Sequence, residues 1–478
     1  MLSGLGDSIL LAMTSVDLAR TQFATTSIYH FLFVPLTLGL APLVAVMQTK
    51  WYRTGNDDWY RLTRFFGTLM LINFAIGVAT GLVQEFQFGM DWSVYSEYVG
   101  DVFGAPLAIE GLAAFFLEST FLGLWIFGWN RLSKRMHLAT IWIAALGTWL
   151  SAFFIIVANS WMQRPVGYEV SDGAAHLTNV WDLLGNRFAL HAYLHVILVG
   201  LTTAAVVVFG VACWHLLRGR NVAVFRRAAA LALIVGVPVT LVNLVVGSRM
   251  GIVVTDYQPM KIASAEALWD TEQPASFSLF QIGGFSKSDQ DPSVDLEIPK
   301  LLSFLATGDP NAKVEGMNQV QDQYSKQYGD GNYIPTINGR LFVTYWSMRV
   351  MAYLGALMFL VMAIGAWLYR KRRLERHRWF LKLSVLGIAF PFLAAMAGWV
   401  LTEVGRQPWI VQGLLKTAEA KSPSIGSGTI WISLTVIVLL YLTLGVVDFI
   451  LMRRYARLDP PQPPSEEEAE GPLPAVGY

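Results

Sequence analysis

The chain has 478 residues, of which 54% are hydrophobic and only 14% are charged, with a mean hydropathy of +0.46. Soluble proteins carry about 25% charged residues, so this composition excludes an ordinary soluble protein. The net charge is +1, so the chain does not have the excess of basic residues that is typical of nucleic-acid binders. The single cysteine, Cys213, allows neither a disulfide nor a multi-thiolate metal site within the chain.

Apolar stretches long enough to cross a membrane follow one another along the whole chain. A bilayer core about 30 Å thick needs roughly 20 mainly apolar residues per helix. The predicted spans are 23–48, 65–85, 105–129, 138–160, 188–217, 228–248, 342–369, 379–402 and 427–452. The predicted fold class is therefore an all-α integral membrane protein with about nine transmembrane helices.

The distribution of Lys and Arg predicts the orientation of these spans. Basic residues cluster in the loops after the first, third, fifth and seventh spans, as in the run 370–378, and are rare in the alternate loops. Basic loops stay on the cytoplasmic side. The N-terminus is thus predicted outside and the C-terminus inside, which requires an odd number of spans.

One long polar stretch, 249–340, interrupts the spans on the outer side. A loop of this length is typically functional, and the alternative is a disordered insertion. The chain is accordingly divided into five predicted segments. They are an N-terminal extension (1–22), a six-helix membrane segment (23–248), the outer loop (249–340), a three-helix membrane segment (341–457) and a disordered tail rich in Pro and Glu (458–478).

Several ionisable side chains fall inside or at the ends of predicted spans, where they cost free energy and usually face the bundle interior. They are His30, Glu110, Glu118, His191, His195, Arg349, Glu403 and Arg406. Glu110 and Glu118 are eight residues apart, which on a regular helix places them about 80° apart around the axis. Both are therefore expected to face one interior path.

A histidine and a methionine are a common pair of axial ligands for haem iron. His195 and Met351 both lie near the outer ends of their spans, so they can meet at one depth. Spacing alone does not select Met351 among 16 methionines. At this point a packed core histidine, or one on a proton path, remains an alternative for His195.

Four sequence runs together resemble the haem-bearing subunit I of cytochrome bd ubiquinol or menaquinol oxidases. They are 29–39 (YHFLFVPLTLG), 73–88 (NFAIGVATGLVQEFQF), 104–120 (GAPLAIEGLAAFFLEST) and 405–409 (GRQPW). The last two are specific, because each places a charged residue at a membrane site within a string that is improbable by chance. The resemblance covers about residues 20–457 and includes the layout of nine spans with the N-terminus outside.

The resemblance implies that His195 and Met351 are the axial ligands of a low-spin haem b. The family register of His, Gly, Trp and Gly-Arg is matched by His195, Gly200, Trp214 and 219–220. His191, one turn earlier, lacks this register and is the second candidate. Arg349 is expected near a haem propionate or as a residue that raises the haem potential.

The resemblance further implies that Glu110, Glu118, Glu403 and Arg406 serve catalysis. His30, Glu110 and Glu403 match the residues that hold two high-spin haems, one of b type and one haem d, and their pairing with the two irons is left open. Glu118 matches a proton-delivery carboxylate, since a buried carboxyl group can both accept and donate protons. Its alternative is a protonated glutamic acid hydrogen-bonded to a neighbouring helix.

Trp399 matches a residue of the haem environment, with simple packing as the alternative. In the outer loop, Lys261 and Glu266 match a quinol-binding pair. A carboxylate can accept the proton of a quinol hydroxyl, and an ammonium can hydrogen-bond the other oxygen. The loop resembles the short form found in the family.

The implied function is a terminal oxidase subunit of the bacterial cytoplasmic membrane. Quinol would be oxidised at the outer loop and O₂ reduced to water with cytoplasmic protons, which generates a proton motive force without pumping. The expected partners are a second oxidase subunit and, as a further option, small single-helix subunits. No nucleic-acid partner is expected. The quinol is ubiquinol or menaquinol. The alternatives are a cyanide-insensitive oxidase with haem b in place of haem d and, in another class, a proton-coupled membrane transporter.

Overall fold

The computed structural model of the protein describes residues 14–335 and 339–463. Its α-helices are α1 (Ser15–His30), α2 (Val34–Thr54), α3 (Asp57–Met90), α4 (Ser93–Ile109), α5 (Phe116–Phe127), α6 (Lys134–Gln163), α7 (Val180–Leu184), α8 (Arg187–Arg218), α9 (Val222–Tyr257), α10 (Pro259–Glu266), α11 (Leu301–Thr307), α12 (Met317–Tyr328), α13 (Arg340–Arg370), α14 (Arg378–Leu386), α15 (Phe390–Val404) and α16 (Ser427–Tyr455). A π-helix (Glu110–Phe115) joins α4 to α5, and short 3₁₀ turns occur at Leu374–Arg376, Gly387–Ala389 and Thr417–Glu419.

Three small antiparallel hairpins accompany the helices. They are β1 (Tyr168–Ser171) with β2 (Ala174–Leu177), β3 (Phe277–Gly283) with β4 (Pro292–Ile298), and β5 (Trp409–Val411) with β6 (Leu415–Lys416). All three lie in connections between spans that are predicted to be on the outer side.

Within the described part of the chain, nine helical segments are long and apolar enough to cross a membrane. They are Ser15–Thr54, Asp57–Met90, Ser93–Phe127, Lys134–Gln163, Val180–Arg218, Val222–Tyr257, Arg340–Arg370, Arg378–Val404 and Ser427–Tyr455. The predicted fold class is thereby confirmed. Most helices extend beyond the predicted spans, because hydropathy detects only the apolar centre of a helix whose polar ends continue past the hydrocarbon core.

The first span differs from the prediction in its start and in its continuity. The helix begins at Ser15, capped by the Thr14 side chain, so residues 15–22 of the predicted extension are helical, and 1–13 lie outside the described residues. The helix is interrupted at 31–33, ahead of Pro35. The Phe33 carbonyl at this break accepts hydrogen bonds from the Thr37 backbone nitrogen at 3.1 Å and from Asn73 Nδ2 at 2.8 Å, and the second of these ties the break to α3.

The third span is also irregular, because Glu110 begins a π-helix of six residues. A π-helix adds residues to each turn and is frequent at functional sites. The angle of about 80° predicted between Glu110 and Glu118 assumed a regular helix and does not hold here.

The packing of α2 against α8 depends on two facing glycines. A Cβ atom added to Gly39 would lie 2.0 Å from the Gly200 carbonyl oxygen, which is far inside van der Waals contact. Small residues at such crossings let two membrane helices approach closely. Both helices contribute to a large apolar core, which also contains residues of α3, α5, α6, α9, α13, α14 and α15.

The outer loop is folded, so the alternative of a disordered insertion is not supported for residues 258–335. It starts later than predicted, since α9 continues to Tyr257, and it contains α10, the β3–β4 hairpin, α11 and α12. A core that includes Trp269, Tyr324 and Tyr333 holds it together.

The start of the predicted tail packs on the body of the protein. Arg61 Nη2 donates to the Pro460 carbonyl at 3.2 Å, and Asn221 Nδ2 donates to Asp459 Oδ1 at 2.7 Å. The rest of the predicted disordered tail, 464–478, lies outside the described residues.

Candidate functional site

A cavity of about 1290 Å³ lies between the helices of the first four spans and α15. Pockets for drug-sized ligands hold about 300–1000 Å³, so this cavity accommodates a larger group or more than one. Its wall is mostly apolar and carries a few charged or titratable side chains, among them His30, Glu85, Glu110, Glu118, Glu403 and Arg406, together with Trp399. The residues predicted to serve catalysis or to hold the high-spin haems lie far apart in the sequence but share this one cavity.

His30 reaches this cavity from the end of α1. Its Nδ1 shares a hydrogen bond with Thr80 Oγ1 at 3.0 Å, while its Nε2 has no hydrogen-bond partner among the described residues. A Cβ at Gly81 would lie 3.1 Å from His30 Cε1. The ring is therefore fixed against α3 by one nitrogen, and the other nitrogen remains available to a ligand.

Glu110 and Glu118 are held by two hydroxyl groups one turn apart on α6. Ser151 Oγ donates to Glu110 Oε1 at 2.7 Å, and Thr148 Oγ1 donates to Glu118 Oε1 at 2.7 Å. Both carboxyl groups line the cavity, which confirms that they face one interior path. Glu118 is buried, and α5 approaches α6 closely at Gly147, where a Cβ would lie 2.8 Å from the Glu118 backbone nitrogen.

Glu403 and Arg406 form an ion pair at the end of α15. Asn159 Nδ2 also donates to Glu403 Oε1, at 3.2 Å. Arg406 is buried, and its Nε and Nη1 atoms have no partner in the described structure. A buried guanidinium with free donors beside a large cavity is suited to bind an anionic group.

Trp399 lies on the same helix and also lines the cavity. Its ring packs edge-to-face against Phe31 with centroids 5.1 Å apart. The residue thus packs against the break in the first span and faces the cavity at the same time.

His195 and Met351 lie outside the lining of this cavity, each against a glycine of a neighbouring helix. His195 Nδ1 is buried without a partner among the described residues, and a Cβ at Gly247 would lie 3.4 Å from its Cε1. A Cβ at Gly398 would lie 3.0 Å from Met351 Sδ. His191 differs, because its Nδ1 is bonded to a carbonyl of its own helix at 2.8 Å.

Arg349 is completely buried and binds the outer loop, a pairing that the sequence does not predict. Its Nη2 donates to Glu266 Oε2 at 2.9 Å and to the Ser278 carbonyl at 2.6 Å, and its Nη1 donates to the Ala265 carbonyl at 2.5 Å. Both charged side chains are almost inaccessible, at 0% and 2% exposure. The ion pair therefore ties the end of α10 and strand β3 to α13, two residues before Met351.

Lys261 and Glu266 share the short helix α10 but face different groups. A separation of five residues places them about 140° apart around the helix. Lys261 Nζ donates to Gln163 Oε1 at 2.7 Å, and the Lys261 side chain contacts Gly405, next to Arg406. The predicted quinol pair is thus divided between the cavity end of α15 and the Arg349 ion pair.

Burial brings the pKa values of both loop residues close to neutrality. Burial raises the pKa of Glu266 to about 7, against the opposing effect of Arg349. Burial, together with the positive charge of Arg406, lowers the pKa of Lys261 to about 7. Both groups can therefore exchange protons at physiological pH.

The donor set fits haem better than a compact metal ion. No group of three or more His, Cys, Asp or Glu side chains close enough to hold one metal ion occurs in the described ranges. An imidazole, several carboxyl groups and a guanidinium with unpartnered donors on Arg406 are instead spread over the wall of a large apolar cavity. The His195 imidazole and the Met351 thioether lie outside that wall. Axial ligation of a macrocycle needs only one or two such ligands per iron.

The sequence predictions missed two carboxylate residues that their position in apolar spans could have identified. Glu85 belongs to the run 73–88 and lines the cavity. Asp448 is the one charged residue of the predicted span 427–452, and its Oδ1 is buried without a partner in the structure as described. The cost of a carboxylate inside a membrane helix is the signal that identifies both.

Comparison with known proteins gives consistent matches over almost the whole chain. Residues 18–460 match the family profile of cytochrome bd terminal oxidase subunit I. The chain is 42% identical to cytochrome bd ubiquinol oxidase subunit 1 of Bacillus subtilis (strain 168), covering 92% of this chain and 93% of that protein. It is 38% identical to cytochrome bd-II ubiquinol oxidase subunit 1 of Escherichia coli (strain K12), covering 95% and 99%. The solved structure of the bd oxidase from Geobacillus thermodenitrificans superposes with a TM-score of 0.83 at 28% identity, covering 93% of this chain and 98% of that one.

Proposed function

The chain belongs to the cytochrome bd terminal oxidase subunit I family, and we propose that it uses three haems to couple quinol oxidation at the outer loop to O₂ reduction in the membrane cavity. It is a multi-pass bacterial membrane protein with haem cofactors, a quinol substrate and a second oxidase subunit as its partner. The roles of individual residues are part of this proposal.

The cavity carries the proposal for O₂ reduction. Its wall brings together His30, which is hydrogen-bonded through Nδ1 only, the carboxyl groups of Glu110 and Glu403, and the buried donors of Arg406. His30, Glu110 and Glu403 would hold a high-spin haem b and a haem d. Arg406 would bind a negatively charged group of one of these haems. When bound, the haems carry electrons from quinol and supply the iron at which O₂ is reduced.

His195 and Met351 would hold the low-spin haem b. The choice of His195 over His191 follows the family register, which His195 shares with Gly200, Trp214 and 219–220. The His195 ring also faces Gly247 of α9, inside the bundle. Gly398 leaves room for the Met351 thioether, because a Cβ there would lie only 3.0 Å from its sulfur, whereas a Cβ at Gly247 would reach ordinary contact with the His195 ring at 3.4 Å.

Glu118 would deliver cytoplasmic protons to the cavity. It lies on α5, nearer than Glu110 to the basic, cytoplasmic end of that span. Thr148 orients one carboxyl oxygen and leaves the other free of protein partners among the described residues. Such a group can pass a proton without being needed to hold iron.

Glu266 would accept the proton that leaves quinol, and Lys261 would hydrogen-bond a quinol oxygen. The near-neutral pKa values of both groups support proton exchange at this loop. The ion pair of Glu266 with Arg349 lies next to the helix segment that carries Met351. Arg349 would thereby influence the potential of the low-spin haem.

With the N-terminus outside, proton release at the loop and proton uptake through Glu118 would occur on opposite sides of the membrane. This arrangement generates a proton motive force without a pump. It requires that the protein reside in the bacterial cytoplasmic membrane.

A visible absorption spectrum of the reduced, purified complex, combined with haem extraction, tests this proposal. Three haems per complex, with a chlorin band for haem d, support it. Three b-type haems indicate the variant that carries haem b in place of haem d. A colourless preparation refutes the oxidase and leaves the proton-coupled transporter.

A further inference from the structure

A row of aromatic side chains leads from the cavity wall to the outer surface. Phe103 lines the cavity. Its ring lies edge-to-face against Trp161, with centroids 5.9 Å apart, and Trp161 in turn lies edge-to-face against Tyr168 at 5.5 Å. Each step is a direct ring contact, so the three residues connect the cavity to the β1–β2 hairpin.

The burial of these rings changes along the row. Trp161 is 0% exposed, and its Nε1 donates to the Val166 carbonyl at 3.1 Å. Tyr168 is half-buried at the start of β1, in a connection predicted to lie on the outer side. Tryptophan and tyrosine are the aromatic side chains that lose an electron most readily, and here one is insulated and the other reaches the surface.

Oxidation-sensitive groups also form the cavity wall at this end. The Tyr95 hydroxyl donates to Met162 Sδ at 2.9 Å, and both residues line the cavity. A thioether is readily converted to its sulfoxide by oxygen species. Trp161, adjacent to Met162 in the chain, is placed to supply an electron before this wall is damaged.

We propose that Trp161 and Tyr168 form an electron relay that supplies the cavity when the next electron from quinol is delayed. This inference rests on the proposed reduction of O₂ in the cavity. One electron leaves the Trp161 indole through Phe103 and converts a hydroxyl radical, left in the cavity by incomplete reduction of O₂, to hydroxide. The indole cation radical keeps its N–H. Tyr168 then returns one electron to Trp161 and releases its phenolic proton to outer water. The next quinol molecule to arrive at the outer surface restores Tyr168 by giving it one electron and one proton, and becomes a semiquinone.

The test uses the purified two-subunit complex, turning over in O₂ with limiting quinol. Peptide mass spectrometry locates oxidised side chains, and electron paramagnetic resonance detects protein radicals. Trp181 is the internal control, because it is 76% exposed on the same outer side and would be attacked first by a freely diffusing oxidant. The relay predicts oxidation of buried Trp161 and of Tyr168 in preference to Trp181.

Two variants separate the relay from simple packing. Tyr168→Phe keeps the ring and removes only the phenol, so it should abolish the tyrosyl signal and increase oxidation at Trp161. Trp161→Phe should abolish oxidation at Tyr168 and increase sulfoxide at Met162. Trp181→Phe is the matched control and should change neither pattern.

The outcomes distinguish the relay from the function on which it rests. A complex that consumes O₂ with quinol but is oxidised mainly at Trp181, with no radical lost in Tyr168→Phe, refutes the relay alone. A complex that consumes no O₂ refutes the proposed function and the relay together. Should Trp161→Phe fail to assemble, the Tyr168→Phe signal still decides the question.

Discussion

Replacement of Glu118 by glutamine isolates proton delivery from haem binding. A glutamine amide oxygen can still accept the hydrogen bond that Thr148 Oγ1 donates at 2.7 Å. The packing against α6 at Gly147 also involves only the backbone and Cβ of residue 118. The variant should therefore lose little stability, less than the roughly 0.5–1.5 kcal/mol of one hydrogen bond.

The amide cannot exchange a proton during turnover, so the loss should appear in the rate. Removal of a positioned general acid–base group typically costs about 10²–10⁴-fold. Quinol-driven O₂ uptake should fall within that range in Glu118→Gln, while pyridine haemochrome analysis should find the same haem content as in the native complex.

Glu110→Gln is the matched control, because Glu110 has the same kind of partner, Ser151 Oγ at 2.7 Å, but is proposed to hold iron. It should change the spectrum of a high-spin haem as well as the rate. Normal turnover in Glu118→Gln, or the loss of a high-spin haem from it, would refute the assigned role of Glu118.

Three further predictions concern other parts of the site and the fold. Both His195→Ala and Met351→Leu should remove the low-spin haem b band in reduced spectra and keep the oxygen-reactive haems; a retained six-coordinate band would contradict the assignment. Quinol-driven O₂ uptake should increase as the pH rises through about 7, because burial raises the pKa of Glu266 to about 7 and its carboxyl group accepts a proton only after losing its own. Glu266→Gln should abolish this increase, and O₂ uptake driven by a donor that bypasses quinol should not show it. Gly39→Ala should lower the melting temperature of the complex, because the added Cβ would lie 2.0 Å from the Gly200 carbonyl oxygen and overpacking costs about 1–3 kcal/mol. Gly123→Ala should not lower it, because a Cβ at Gly123 meets no atom within 4 Å.

Local sequence patterns predicted most of the membrane fold. Hydropathy located the nine spans, since roughly 20 consecutive apolar residues are what a helix needs to cross the hydrocarbon core and are rare in water-exposed segments. It did not locate the break at 31–33 or the π-helix that starts at Glu110, because hydropathy does not register backbone irregularities inside an apolar stretch. Both places are bonded to other helices, through Asn73 and Ser151 respectively.

The site was predictable as a set of residues but not as an arrangement. The cost of charge in lipid selected the carboxylates that line the cavity. The partner of Arg349 was not accessible to the same reasoning, because Glu266 is 83 residues away in a loop whose fold has no periodic signal. The split between Lys261 and Glu266 likewise follows from the direction of α10, which only tertiary packing determines.

Quinol-driven O₂ consumption by the purified two-subunit complex tests the central claim most directly. We expect steady O₂ uptake that requires added quinol, is coupled to water formation and is accompanied by reduction of the bound haems when O₂ is exhausted. A complex that contains its haems but consumes no O₂ with either ubiquinol or menaquinol would contradict the claim.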